Sequence, residues 1–286
     1  MKFAYFGTPY VARDTLAQLV DAGYTPTVVV TSPDAQHGRG MELRPCETKV
    51  WALDHDLPVH TPSKIDGEFL KELSSYDCDL AIVVAYGKLL PQTAIDLFPR
   101  GILNIHYSLL PLYRGASPVE SALRNGDTVT GVTIQQMALE MDAGDILAQE
   151  EVAIAPTDTT LTLRPKLIEA GADLLIRMLP AVEAGTLTPV AQDAARATRA
   201  PKIRKEEGLL SLSNDAVTNW NTYRAFRESP GTYFYANKDD KRIRVKIVDA
   251  EFASGVLPAF RPTRIVPEGK PEQSFTYLSQ NGWSPE

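Results

Sequence analysis

Short runs of apolar residues recur through the first 110 positions, at Lys2–Phe6, Val28–Val30, Leu80–Ala85 and Ile102–Ile105. The stretches between them carry helical spacing instead. Ala12, Leu16, Leu19 and Val20 share one face, with Gly23 as the stop; Val50, Trp51 and Leu53, then Phe69, Leu70 and Leu73, then Leu89, Leu90 and Ile95 follow. Strands that lack polar alternation must be covered on both faces, and helices between consecutive strands supply that cover. The pattern predicts an α/β, Rossmann-like domain with a mostly parallel sheet. Residues 32–46 hold two glycines and two prolines and read as a polar loop.

Beyond residue 115 the pattern changes. Ser117-Pro118-Val119-Glu120 places a cap, an N1 proline and a capping-box glutamate in register, so a helix is expected to start there. Val129–Met137 and Ile146–Val152 read as strands around the turn Met141–Asp145, followed by a helix over about 160–184 that Pro165 and Pro180 are expected to disturb. Residues 186–205, rich in Ala, Thr and Arg, read as a linker. Leu209–Leu212, Thr232–Ala236 and Ile243–Val248 read as short strands of a small β-rich domain. The expected organisation is therefore a domain over 1–188, a basic linker over 189–205 and a small C-terminal domain over 206–286.

Several classes are excluded early. The longest apolar run, Leu80–Tyr86, is far short of the ~20 residues a membrane span needs, and Gly7 and Pro9 interrupt any leader-like core. Cys46 and Cys78 cannot build a disulfide framework, and no Cys/His spacing suggests a metal. A cytoplasmic chain without metal, acting as a monomer, is expected. The net charge of −7 is unevenly spread: residues 1–189 carry 14 Lys and Arg against 24 Asp and Glu, while residues 196–247 carry 12 against 6. Such asymmetry points to an anion-binding surface in the C-terminal third.

Gly7-Thr8-Pro9 lacks the spacing of a dinucleotide loop, and no phosphate-binding Gly-x-x-x-x-Gly-Lys motif occurs. No nucleophile elbow singles out Ser108. The richest stretch is Asn104-Ile105-His106-Tyr107-Ser108, where a parallel strand ends and open α/β sheets place their sites. Asn104 and His106 leave one face of that strand. An amide can donate to a developing oxyanion and an imidazole can move a proton near neutral pH, a pair suited to acyl chemistry. Asp142 or Asp145 can orient the histidine.

Asn104-x-His106-x-Ser108-Leu109-Leu110-Pro111, followed by Arg114-Gly115, resembles the active-site signature of the 10-formyltetrahydrofolate-dependent formyltransferases. Gly131-Val132-Thr133-Ile134 through Met141-Asp142-Ala143-Gly144-Asp145 resembles their second signature. Gly7-Thr8-Pro9, the loop from Ser32 to Gly40 and Val83–Gly87 look like the methionyl-tRNA formyltransferase branch. The resemblance covers residues 2–250. It implies catalysis by Asn104, His106 and Asp142, and a folate pocket shaped by Ser108, Leu109, Leu110 and Pro111 with Tyr86, Lys88 and Leu90 at its pterin end. It also implies initiator methionyl-tRNA as partner, met by Arg39 and by Lys202, Arg204, Lys205 and residues near 241–246. Met41 and Glu42 stand where the family usually has lysines. The short span after Val248, ending in a tail-like Arg264–Lys270, implies an abbreviated, open C-terminal barrel. The same core serves enzymes that formylate an amino sugar on a nucleotide, which is the alternative activity; a folate- or RNA-binding module without catalysis is a third.

Overall fold

The computed structural model describes residues 1–37 and 41–286; Arg39 lies outside the described residues. The chain forms two compact units, one of Met1–Gly115, Thr130–Val152 and Pro165–Arg199, the other of Ala116–Val129, Ala153–Arg164 and Ala200–Glu286. The segments 116–129 and 153–164 thus group with the C-terminal residues rather than with the domain expected over 1–188.

In chain order the first unit contributes β1 (Phe3–Gly7), α1 (Tyr10–Asp21), β2 (Val28–Val30), β3 (Ala35–His37), β4 (Glu42–Arg44), α2 (Glu47–Asp54), β5 (Val59–His60), α3 (Gly67–Ser74), β6 (Leu80–Val84), α4 (Gln92–Ile95) and β7 (Ile102–His106). After α5 (Pro118–Asn125) come β8 (Val129–Gln136), β9 (Ile146–Ala153) and α6 (Thr160–Ala184). The sheet runs β5-β2-β1-β6-β7-β8-β9. Its first five strands are parallel, and β8 joins β7 antiparallel. Every residue of β1, β6 and β7 is buried, the two-faced cover that their unbroken apolar runs demand. Ala4, Phe6, Val28, Val30, Ala81 and Val83 pack with Phe69, Leu73 and Phe98 on one side, each large side chain contributing about 1.5–3 kcal/mol.

Three expectations are corrected here. Residues 32–46 are not all loop, because β3 and β4 pair as a hairpin. The helix after β9 runs unbroken through Pro165 and Pro180: the backbone bonds each ring deletes are outweighed by the buried row Leu163, Leu167, Ile168, Ala172, Leu175 and Leu179. The capping box of α5 does not form. Ser117 makes no side-chain cap, its N–H donates to Ala200 O at 3.2 Å, and Glu120 is drawn to Arg164 Nη2 at 2.6 Å, a stronger charge-assisted partner.

The second unit is built on α7 (Ala216–Ala225), β10 (Thr232–Lys238), β11 (Lys241–Ala253), β12 (Ala259–Pro267), β13 (Gln273–Ser274), α8 (Tyr277–Gln280) and β14 (Ser284–Pro285). Its sheet is antiparallel and open, in the order β13-β12-β11-β10-β14, with edge strands of two residues. Leu210, Tyr223, Phe234, Val245, Ile247, Ile265 and Leu278 form its core. Leu209–Leu212 makes one isolated bridge to Tyr233 instead of a strand. Arg264–Pro267 is no tail: it belongs to β12 and pairs with β11.

Candidate active site

β7 ends in His106, and Asn104 sits two residues earlier, so both side chains leave the same face of the sheet. Both are buried, at 8% and 6% exposure. The antiparallel register sets Gln135 of β8 opposite Asn104 and Thr133 opposite His106. Four polar side chains therefore share one face at a strand end that is otherwise apolar.

Each has a distinct situation. Thr133 is wholly committed: Oγ1 donates to Ser108 O at 2.6 Å and accepts from Leu110 N at 3.0 Å and Gln149 Nε2 at 2.9 Å. His106 Nε2 lies 2.9 Å from Tyr113 O, and because a carbonyl only accepts, this nitrogen donates. That leaves Nδ1 directed at Asp142, whose Oδ1 is 3.6 Å away. The Asn104 amide has no hydrogen bond among the described residues and is free to donate to a ligand.

Asp142 is held from three sides. Gly115 N donates to Oδ2 at 2.8 Å, Gln135 Nε2 donates to Oδ1 at 3.1 Å, and Gln192 Nε2 donates to the Asp142 carbonyl at 2.9 Å. The residue adopts φ +53, as Tyr113 adopts φ +61; such conformations cost about 1–2 kcal/mol in a residue with a Cβ. The turn around Asp142 also requires its glycine, since a Cβ on Gly144 would stand 1.7 Å from Gln136 O. Gly131 is required for the same kind of reason: a Cβ there would stand 2.2 Å from Glu150 O and 2.5 Å from Leu109 Cδ2. Of the two aspartates left open by the sequence, Asp142 faces the histidine and Asp145 is exposed.

The loop after β7 is tied down by buried contacts as well. Ser108 is fully buried with its hydroxyl donating to Leu112 O at 2.6 Å, and Leu110 and Pro111 are buried while Leu109 is half-buried. At the end of β6, Tyr86 stands edge-on to Phe6 with ring centroids 5.3 Å apart, and Leu90 joins the same core. Lys88 Nζ donates to Pro62 O at 2.6 Å and Ser63 O at 3.2 Å, and burial lowers its amine from the ordinary lysine value. Lys202, Arg204 and Lys205 are exposed in the second unit. There Lys202, Lys205, Arg244 and Lys246 line a cavity of about 850 Å³ that also carries Glu120 and Glu268.

Sequence reasoning missed Gln135 and Gln192, and it gave Arg114, quoted in the first signature, no role of its own. Gln135 has a signal in retrospect, since Thr133 and Gln135 alternate as His106 and Asn104 do, but only the register of β7 with β8 brings the two pairs together. Gln192 has none, because it lies 50 residues from the turn it holds.

The formyl transferase family matches residues 1–179. A methionyl-tRNA formyltransferase from Acidobacterium capsulatum is 42% identical over 235 residues, covering 82% of this chain and 76% of the relative. One from Moorella thermoacetica is 38% identical over 279 residues, covering 96% and 88%. Among solved structures, an N-formyltransferase from Helicobacter canadensis superposes with a TM-score of 0.66 at 17% identity, over 89% of each chain, and shares the fold. With relatives of this identity matched along nearly its whole length, the chain belongs to the methionyl-tRNA formyltransferase family.

Proposed function

We propose that the protein transfers the formyl group of 10-formyltetrahydrofolate to the α-amino group of methionine on initiator methionyl-tRNA, with Asn104, His106 and Asp142 as catalytic residues. The observation that carries the chemistry is the meeting of an uncommitted amide, an imidazole and a carboxylate at the end of β7. The methionyl amine attacks the formyl carbon, and the carbonyl electron pair moves onto oxygen. Asn104 donates to that oxyanion, the kind of contact worth about 10²–10³ in rate. The adduct loses its ammonium proton to Asp142, directly or through water. N10 of the folate must gain a proton before its bond to carbon breaks, and the His106–Asp142 pair serves both transfers. Tyr113 O and Gly115 N fix the two partners in place. The scheme uses no metal.

Ser108, Leu109, Leu110 and Pro111 give the folate pocket its shape, with Tyr86, Lys88 and Leu90 at the pterin end. Arg39, Lys202, Arg204 and Lys205 meet the tRNA; the cationic cavity beside Lys202 and Lys205 supports this reading. The protein acts in the cytoplasm, as a monomer. No helix among the described residues is long and apolar enough to cross a membrane.

The deciding experiment compares formyl transfer from 10-formyltetrahydrofolate to charged initiator methionyl-tRNA and to a panel of amino-sugar nucleotides. Formylation of the charged tRNA alone is expected. Transfer only to a sugar nucleotide would overturn the tRNA assignment and keep the catalytic residues, while binding of tRNA without turnover would overturn catalysis.

A further inference from the structure

Residues 190–199, expected as linker, lie against the loop that follows β7 and against the turn that carries Asp142. Val190 and Ile146 exchange backbone hydrogen bonds of 2.8 and 2.9 Å. Thr198 N donates to Pro111 O at 3.2 Å, Thr198 O accepts from Arg114 N at 2.9 Å, and Thr198 Oγ1 accepts from Tyr113 N at 2.8 Å. Arg199 Nη2 reaches Glu140 Oε1 at 3.3 Å. Between these ties sits Gln192. Its Nε2 donates to Asp142 O at 2.9 Å and Gly144 O at 2.7 Å, and its Oε1 accepts from Arg114 Nε at 3.0 Å and Nη2 at 2.8 Å.

The neighbours dictate that orientation. A guanidinium only donates and a carbonyl only accepts, so the amide fits one way round. Arg114 is itself 6% exposed, which places the fork of its guanidinium firmly behind the glutamine. On the far side of Gln192 is the turn in which Asp142 takes its left-handed conformation. A strained conformation persists only where the surroundings over-determine it, and Gln192 holds the carbonyls on both sides of Ala143.

We propose that Gln192 is a positioning residue for formyl transfer: by clamping the Asp142 and Gly144 carbonyls against Arg114, it fixes the turn that aims the Asp142 carboxylate at His106. The proposal rests on the reading of Asp142 as catalytic. A displacement of about 1 Å at such a group costs up to ~10²-fold in rate.

The test is a kinetic cycle on the full chain. Gln192→Met keeps the volume and removes all four hydrogen bonds; Gln192→Glu keeps the Arg114 partner and sets an acceptor against two carbonyls. Both are expected to lower kcat by about 10–100-fold, with KM for 10-formyltetrahydrofolate and for charged tRNA within about twofold. In an Asp142→Ala background, followed by single turnover with enzyme in excess, the same changes are expected to alter the residual rate less than about twofold, since no carboxylate remains to be aimed. Asp142→Ala at wild-type rate would overturn the catalytic reading itself. Asp142→Ala impaired with Gln192→Glu at wild-type kcat would overturn the clamp alone, and so would losses that multiply in the double variant. Should thermal melting show Gln192→Met to be unfolded, Gln192→Glu carries the cycle.

Discussion

Tyr86 is 2% exposed, and its hydroxyl makes no hydrogen bond among the described residues. Burial pushes the phenol up to about 12. An unfolded tyrosine loses its proton near 10, so between pH 10 and 12 the folded state holds more protons than the unfolded one. Stability is then fully present below pH 10 and falls as the pH rises toward 12. Tyr223, also pushed up to about 12 by burial, contributes a similar decline, so the effect of Tyr86 is read from a difference. Tyr86→Phe is expected to raise stability by up to about 1 kcal/mol at neutral pH, by removing a desolvated hydroxyl, and to melt with a shallower dependence on pH above 10. Thermal melts of both proteins across pH 9–11.5 check it; parallel curves would place the hydroxyl in contact with water. A rise in KM for the folate in the same variant would assign that hydroxyl to the ligand. The family resemblance grouped Tyr86, Lys88 and Leu90, but how far Tyr86 and Leu90 are buried, and the capture of Lys88 by Pro62 and Ser63, depend on residues brought in by the fold.

At the scale of elements, legibility followed local physics. The strands β1, β2 and β6, wholly apolar, and β7, apolar but for Asn104 and His106, were found to within a residue or two, because burial on both faces leaves few polar residues in the run. α7 was missed although Asp215 caps it by accepting from Thr218 N at 2.8 Å, since Ala216–Ala225 lacks a strong apolar stripe and reads like its β-rich surroundings. α6 shows the opposite error, since Pro165 and Pro180 were expected to disturb a helix that runs unbroken through both. Pro180 is exposed on that helix and deprives the Ile176 carbonyl of its i+4 donor. Pro180→Ala restores the donor, and against a helix-interior penalty of ~3 kcal/mol stands an entropic gain in the unfolded chain of at most ~1 kcal/mol that proline provides. A net stabilisation of about 2 kcal/mol is expected, measured by urea unfolding. A loss of stability would mean that the proline matches a local bend that alanine cannot adopt without strain.

Across the whole molecule the charge is divided, with residues 1–189 carrying an excess of ten acidic side chains and residues 196–247 an excess of six basic ones. A polyanion is steered by such a field and loses its steering as salt screens it. Met41 and Glu42 follow Gly40 and bring no cation to that stretch; in the proposed reading the electrostatic contribution to tRNA rests on the cations that line the second unit's cavity, Lys202, Lys205, Arg244 and Lys246. Arg244 is already stacked 3.8 Å over the Tyr233 ring, whereas Lys202 and Lys205 are exposed and make no ion pair among the described residues. Lys246 is likewise exposed and without an ion pair among the described residues, so Lys202, Lys205 and Lys246 are the cations a phosphate backbone can recruit without breaking an existing contact, and the first two carry the test. Each phosphate contact adds about one unit to the slope of log affinity against log salt. The double variant Lys202→Ala, Lys205→Ala is expected to raise KM for charged initiator tRNA about tenfold at low salt and to flatten that slope by about two units. Its kcat at saturating tRNA should stay within about twofold, because neither lysine belongs to the Asn104–His106–Asp142 site. Measuring kcat/KM between 50 and 200 mM salt, on the order of the range over which such contacts weaken, decides it. An unchanged slope would move the tRNA contacts off these residues, and a fall in kcat with KM unchanged would show that they act on the chemistry and not on the encounter.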